Sequence, residues 1–114
     1  MFFVTPEKLT GVDTVTQAGE TTRAALQARP VGGIAYFADN LTDPEQTRTL
    51  LSDTQAMARE LTGIPLLLSV DEEGGTVARI ARNAAFGVEN PGDMRDVGST
   101  GDTSYAHDVA LTIG

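Results

Sequence analysis

The distribution of apolar and polar positions predicts three short strands separated by helices. Apolar runs at residues 2–4, 33–38 and 66–70 are bounded by polar or turn-forming residues and are too short to be helices. In the second and third runs the apolar residues are nearly continuous, which is typical of parallel strands buried on both faces. Strands of this kind that alternate with helices predict an α/β fold with right-handed crossover connections.

The first predicted helix follows the first strand. Thr14 and Gln17 have the spacing of a capping box, so we expect the helix to begin at Thr14. It should end by Arg29, because Pro30 disfavours a helical conformation in the residue before it. One face of this helix is expected to carry Val15, Ala18, Thr22, Ala25 and Leu26.

The second predicted helix has the clearest boundaries. Asp43 is a typical N-cap residue, Pro44 suits the first helical position, and Gln46 completes a capping-box spacing. Gly63 is expected to end the helix, with Pro65 just beyond it. The buried stripe is predicted to comprise Leu50, Leu51, Thr54, Met57, Ala58 and Leu61.

The C-terminal third of the sequence is less regular. Residues 83–101 are rich in Gly, Asn and Asp and contain the turn signal Asn-Pro-Gly at 90–92, so we expect a long loop. Asp102 is expected to cap a last helix. Because a strand is predicted at the first residues and this helix runs to the last ones, we expect the sequence to be a piece of a longer chain.

Charge and composition narrow the possible functions. The 114 residues carry 8 basic and 16 acidic side chains, a net charge of −8, and contain no basic run. We therefore expect neither nucleic acid nor an anionic membrane surface as a partner. The absence of cysteine excludes disulfides and thiolate metal sites, and no apolar stretch approaches the ~18 residues of a membrane span. No cofactor is indicated, and the compartment, cytoplasmic or extracellular, stays open.

The segment DEEGG at residues 71–75 is the strongest candidate for chemistry. Asp71 directly follows the third predicted strand, and parallel α/β folds bind ligands at the carboxyl ends of strands. A carboxylate there can accept hydrogen bonds from two vicinal hydroxyls, while Gly74 and Gly75 permit a tight turn or a close approach to a ligand. The alternatives are a charged turn that only solvates the strand end, or a Mg²⁺ site, which the divergent directions of adjacent side chains disfavour.

Three motifs together resemble the N-terminal part of glycoside hydrolase family 3, in particular its β-N-acetylglucosaminidase branch. They are PVGGIAYFADNL at residues 30–41, DPEQ at 43–46 and PLLLSVDEEGGTVAR at 65–79. They are similar to the VGGxILFxxN strand, the DPxQ helix start and the VDxEGGxVxR strand end of that branch, in the same order. Residues 1–29 and 83–114 resemble the family through less specific motifs.

The resemblance implies a (β/α)8-barrel catalytic domain that removes terminal β-linked N-acetylglucosamine with retention of configuration. Residues 1–114 would be an N-terminal fragment of this barrel, about its first three βα units, since a whole barrel needs about 250 residues. Asp71 matches the family aspartate that binds sugar hydroxyls in the −1 subsite, and Arg79 matches a basic residue that lines the same site. Thr76 departs from the family, in which a basic residue often stands at this position.

The catalytic pair that the resemblance implies is missing from this sequence. The nucleophile is an aspartate on a later strand, and the usual acid/base is a histidine in a KHFPGHG-like segment; neither motif occurs here. We interpret the single histidine, His107, as a solvated helix residue and assign no catalytic residue. The chain alone is expected to be inactive and to self-associate through its open strand edges, and a carbohydrate is expected as the substrate of the longer enzyme.

Two other interpretations stay open. One is a β-glucosidase of the same family. The other is a free-standing flavodoxin-like or receiver-like module, which would bind Mg²⁺ or a phosphate analogue at its acidic strand ends.

A few further residues carry minor predictions. Tyr36 and Phe37 are interpreted as strand core instead of a sugar-stacking platform. Glu72 and Glu73 are interpreted either as a pair supporting the neighbouring aspartate or as surface residues. Asn40 is expected to cap the loop that follows its strand.

Overall fold

Three parallel strands organise the first part of the chain. A computed structural model describes residues 2–114, which fall into two units divided between Val70 and Asp71. In the first unit, β1 (Phe3–Val4), β2 (Gly33–Tyr36) and β3 (Leu67–Val70) pair in the order β1-β2-β3, and both pairings are parallel. The predicted α/β class with parallel strands is confirmed.

The central and edge strands of this sheet differ in burial. β2 has a partner on each side, and its Ile34 and Tyr36 side chains are almost fully buried. Among residues 2–114, β3 pairs only with β2, and Leu67 is 53% exposed. The prediction that β3 is buried on both faces is therefore wrong, because such burial needs a covering layer on each face, which an apolar run does not itself provide.

The connection between β1 and β2 contains two helices instead of one. α1 (Pro6–Thr10) begins after Thr5, whose hydroxyl accepts a 3.3 Å hydrogen bond from a backbone N–H in the first turn. α2 comprises Glu20–Ala28. The predicted helix start at Thr14 is therefore wrong, whereas the predicted end at Arg29 is confirmed.

Side-chain contacts within residues 11–19 explain the wrong helix start. Val15 is buried although it is not helical, and its backbone N–H donates to the Glu7 carboxylate at 3.2 Å. A buried position at helical spacing can thus lie in a loop when a side chain satisfies its backbone group. Of the predicted apolar face, Thr22 and Leu26 are buried on α2.

α3 (Pro44–Thr62) has the predicted boundaries. The Asp43 carboxylate accepts hydrogen bonds from the backbone N–H groups of Gln46, at 2.9 Å, and Glu45, at 3.0 Å. The pKa of Asp43 is lowered, chiefly by the first of these bonds. Gly63 ends the helix with a φ of 74°. In the predicted stripe, Leu50, Thr54 and Ala58 are buried, whereas Leu51, Met57 and Leu61 are partly exposed.

The second unit begins with a hairpin, in which β4 (Glu72–Gly74) and β5 (Val77–Ala78) are antiparallel. The long loop predicted over residues 83–101 is wrong in part, because the helix α4 (Met94–Ser99) lies within it. This helix has six residues, no side-chain hydrogen bond at its N-cap and one buried residue, Val97. Local sequence signals for such a short helix are weak, since its stability comes from packing.

The final helix, α5 (Thr103–Ile113), confirms the cap predicted at Asp102. The Asp102 carboxylate accepts hydrogen bonds from the backbone N–H groups of Ser104 and Tyr105, at 2.9 and 3.1 Å. Two short 3₁₀ turns, at Ala38–Asn40 and Ala84–Phe86, complete the elements of residues 2–114.

Candidate functional site

Asp71 immediately follows the last residue of β3 and is exposed. The same residue opens the second unit, one position before the β4–β5 hairpin. Its carboxylate is thus presented to solvent at the end of a parallel strand, which is the place predicted from the sequence.

The register of the hairpin places Asp71 and Arg79 on either side of its open end. β4 and β5 pair Glu72 with Ala78, and the two candidate residues flank this pair just outside the strands. Residues opposite each other in an antiparallel ladder have Cα atoms about 4.5–5.5 Å apart. Asp71 and Arg79 each lie one residue beyond the end of this ladder.

Gly74 and Gly75 form the predicted tight turn, with φ values of 88° and 58°. A Cβ atom on Gly74 would lie 2.6 Å from the Gly92 carbonyl oxygen, and one on Gly75 would lie 1.8 Å from Asp93 Oδ1. Each position therefore requires glycine for two reasons: its left-handed conformation and the close approach of residues 92–93.

Asn90 anchors this turn from the following loop. Its Oδ1 accepts a 2.7 Å hydrogen bond from the Gly75 backbone N–H, and its Nδ2 donates to the Gly75 carbonyl at 2.9 Å. Asp93 Oδ1 accepts from the backbone N–H of Thr76 at 3.3 Å. Because the partner of Asn90 lies 15 residues away, the sequence predicts only a turn at this residue.

Glu72 anchors the other end of the hairpin. Its Oε2 accepts hydrogen bonds from the backbone N–H groups of Arg79, at 2.7 Å, and Ile80, at 2.8 Å. Its Oε1 accepts from the N–H of Ala81 at 3.1 Å. The Glu72 carboxylate thus holds the segment that carries Arg79, whereas Glu73 is exposed.

Asn40 caps the loop after β2, as predicted, and its role extends further. The side chain is almost fully buried; its Oδ1 accepts from the Phe37 backbone N–H at 2.8 Å, and its Nδ2 donates to Glu7 at 2.5 Å and to the Val15 carbonyl at 3.0 Å. Burial raises the pKa of Glu7, but hydrogen bonds from its own backbone N–H, Asn40 and Val15 outweigh this effect, and the net pKa is lowered. No pattern in the sequence pointed to Glu7.

The aromatic pair divides between core and surface. Tyr36 is buried, as predicted, and its hydroxyl shares a 3.1 Å hydrogen bond with the Thr54 hydroxyl; burial raises the pKa of Tyr36. Phe37 is 38% exposed, so its prediction as strand core is wrong. The reason is its position one residue beyond the end of β2, outside the sheet's covered region.

His107 lies on α5 with 70% of its side chain exposed, as predicted, and its Nδ1 is 3.5 Å from the Asp108 carboxylate. Residues 2–114 contain no cluster of three or more His, Cys, Asp or Glu side chains that could hold a metal ion. Within the same residues, the length and apolarity that a membrane-crossing helix needs are not met by any helix.

These features define a parallel α/β protein with an acidic strand end followed by a clamped hairpin. The profile described as "Glycosyl hydrolase family 3 N terminal domain" matches residues 4–114, and the chain belongs to this family. Its similarities lie in the β-N-acetylglucosaminidase, or β-hexosaminidase, branch of the family. The family match argues against the flavodoxin-like or receiver-like alternative.

Two relatives illustrate the extent of the similarity. A "Beta-hexosaminidase" of Photobacterium profundum is 44% identical over 57 residues, which are 50% of this chain and 16% of that protein. A "Beta-hexosaminidase A" of Pseudoalteromonas piscicida is 37% identical over 89 residues, or 74% of this chain and 14% of that protein. The chain thus spans only a small part of the length of the relatives it matches.

A solved structure supports the fold prediction. The glycoside hydrolase family 3 β-N-acetylglucosaminidase from Paenibacillus sp. str. FPU-7 matches with a TM-score of 0.76 and 32% sequence identity. The match covers 96% of this chain and 21% of that one. A partial (β/α)8 fold with three parallel strands agrees with this similarity.

Proposed function

We propose that this chain supplies part of the −1 sugar subsite of a retaining, exo-acting family 3 glycoside hydrolase that removes terminal β-linked N-acetylglucosamine. On this proposal, residues 1–114 are an N-terminal part of the catalytic barrel. The observation that carries it is the hairpin register, in which Asp71 and Arg79 each lie one residue beyond the paired Glu72 and Ala78. The names of the similar proteins support the substrate class.

The two side chains have complementary chemistry for a sugar. The Asp71 carboxylate accepts hydrogen bonds from hydroxyl groups, and two vicinal hydroxyls can share its two oxygens. The Arg79 guanidinium donates hydrogen bonds from a rigid planar fork, which suits hydroxyl and ring oxygens of a sugar. Together they would orient the terminal sugar ring without taking part in bond cleavage.

Bond cleavage is assigned to residues outside this sequence. Retaining hydrolysis needs a nucleophile and an acid/base about 5 Å apart on either side of the scissile bond. His107 is exposed on α5, and we give it no catalytic role. We therefore expect the 114-residue chain alone to show no turnover of a chromogenic N-acetylglucosaminide.

The test uses the complete gene product that contains this chain. Asp71→Ala and Arg79→Ala should each lower kcat/KM by about 100-fold, the loss expected for charge-assisted hydrogen bonds. His107→Ala is the control and should leave kcat/KM unchanged. The proposal would be contradicted by a wild-type kcat/KM in both the Asp71→Ala and Arg79→Ala variants. It would also be contradicted by a loss of activity in His107→Ala.

A second comparison decides between the two activities of this family. The aryl β-glycosides of N-acetylglucosamine and of glucose differ only at the 2-position, and the proposal expects much faster turnover of the first. Preference for the glucoside would favour the β-glucosidase alternative while leaving the roles of the two residues intact.

A further inference from the structure

We propose that Glu72 is a positioning residue that fixes the backbone of Arg79 and, through it, the guanidinium aimed at the sugar. This inference rests on the sugar-binding role proposed above for Arg79. It gives Glu72 a role different from support of the neighbouring aspartate.

The geometry at Glu72 is a convergence of three consecutive amides on one carboxylate. The N–H groups of Arg79 and Ile80 donate to Oε2 at 2.7 and 2.8 Å, and that of Ala81 donates to Oε1 at 3.1 Å. Hydrogen bonds to an ionised acceptor are shorter and stronger than neutral ones. Three of them from successive residues fix the direction in which the chain leaves β5.

The three amides at residues 79–81 do not belong to the first turn of a helix. Successive N–H groups with a common direction are typical of helix N-termini, where a capping side chain accepts from one or two of them. The next element here is the 3₁₀ turn at Ala84–Phe86, which begins after the segment. The side chain of Glu72 therefore substitutes for a secondary-structure partner at the residue that carries the guanidinium.

The far end of the hairpin has separate anchors. Asn90 and Asp93 bind the backbone of Gly75 and Thr76, at the opposite end of the hairpin from residues 79–81. Loss of the Glu72 carboxylate should therefore release the Arg79 end while the glycine turn stays held. This separation makes a positioning effect distinguishable from general loosening of the hairpin.

The first measurement is amide hydrogen exchange in the complete gene product, read by mass spectrometry with fragmentation that resolves single residues. Glu72→Gln retains one acceptor oxygen and should accelerate exchange at residues 79–81 by about tenfold, with Glu72→Ala giving a larger effect. Exchange at Gly75 should stay unchanged. Asn90→Ala should show the opposite pattern, and Glu89→Gln, at an exposed glutamate of the same unit, should change neither site.

The second measurement is a double-mutant cycle in the complete gene product. Glu72→Ala should raise KM for the N-acetylglucosaminide by about tenfold, because small displacements of a substrate-positioning group have effects of this size or more. In an Arg79→Ala background the same change should have no further effect, since a residue that acts only through Arg79 has nothing left to position. Glu72→Gln replaces the alanine variant if the latter fails to fold.

The outcomes separate the two proposals. Unchanged exchange at residues 79–81 in the Glu72 variants, or an equal rise in KM with and without Arg79, overturns the positioning role. An Arg79→Ala variant with wild-type KM overturns the sugar-binding role instead. Even then, the exchange data still decide whether Glu72 holds the backbone.

Discussion

Asn40 joins three segments of the first unit through one side chain. Its amide contacts Phe37 after β2, Glu7 on α1 and Val15 in the following loop. The Asn40 side chain is 1% exposed, and its bond to the Val15 carbonyl is buried, whereas those to Phe37 and Glu7 are partly buried. Removing the amide would leave a donor and two acceptors without this partner, and unpaired buried groups are more costly than exposed ones.

We expect Asn40→Ala to lower the free energy of unfolding by about 2–4 kcal/mol, measured by urea denaturation. Asn40→Asp should be at least as harmful, because it would place a second carboxylate against Glu7, whose pKa is already lowered. The exposed neighbour Asp39 provides the control, and Asp39→Ala should fall within about 0.5 kcal/mol of wild type. An Asn40→Ala variant as stable as this control would show that the network contributes little.

Gly75 in the hairpin and Gly87 after the 3₁₀ turn at Ala84–Phe86 separate two reasons for a glycine. Gly75 has a φ of 58°, and its Cβ would lie 1.8 Å from Asp93 Oδ1. Gly87 has a φ of 64°, and its Cβ would have no atom within 4 Å. Alanine at either site would have to adopt the unfavourable left-handed conformation. Only at Gly75 would its Cβ also collide with a neighbouring residue.

We expect Gly87→Ala to reduce stability by about 1 kcal/mol, the usual effect of a left-handed alanine. Gly75→Ala should reduce it by about 3 kcal/mol or more, because Asp93 must move away and lose its bond to Thr76. Denaturation curves give the totals, and amide exchange at Thr76 reports the local change. Equal losses of stability in the two alanine variants would show that Asp93 can move away from residue 75 without a measurable loss of free energy.

Elements with strong local signals were predictable, and those held by distant contacts were not. α3 and α5 have caps whose partners lie two or three residues away, so Asp43 and Asp102 were identified from sequence alone. α1 and α4 have five and six residues, too few for a hydrophobic period to show. α1 nevertheless has local caps, at Thr5 and Gly11, and is the exception to this division, whereas α4 has no side-chain hydrogen bond at its N-cap.

The candidate site likewise has parts that the sequence predicts and parts that depend on distant contacts. The position of Asp71 and the turn at Gly74 and Gly75 follow from a strand run that ends in DEEGG, so the sequence was sufficient. The partners of Glu72 and Asn90 lie 7–9 and 15 residues away, and recognising them requires the antiparallel hairpin register. The VDxEGGxVxR resemblance identified Arg79 but contained no information about what holds its backbone.

At the scale of the whole molecule, the parallel sheet has uncovered edges and apolar surface. Within residues 2–114, β1 and β3 each pair only with β2. Large apolar side chains are exposed on or beside these edge strands, with Phe2 at 82%, Ile64 at 69% and Leu67 at 53%. Unpaired strand edges and contiguous apolar surface both promote association with another chain.

We expect the 114-residue chain to self-associate at micromolar concentration. The net charge of −8 opposes association only over about 8 Å at physiological salt, whereas each Å² of buried apolar surface contributes roughly 25 cal/mol. Leu67→Lys places a charge on the β3 edge and should weaken association by about tenfold, as light scattering would show. Thr112→Lys, at an exposed polar residue of α5, adds the same charge without removing an apolar side chain and should associate like wild type. A monomer with a sharp, cooperative melt would contradict this prediction, because it would show that the sheet is stable with both edges open.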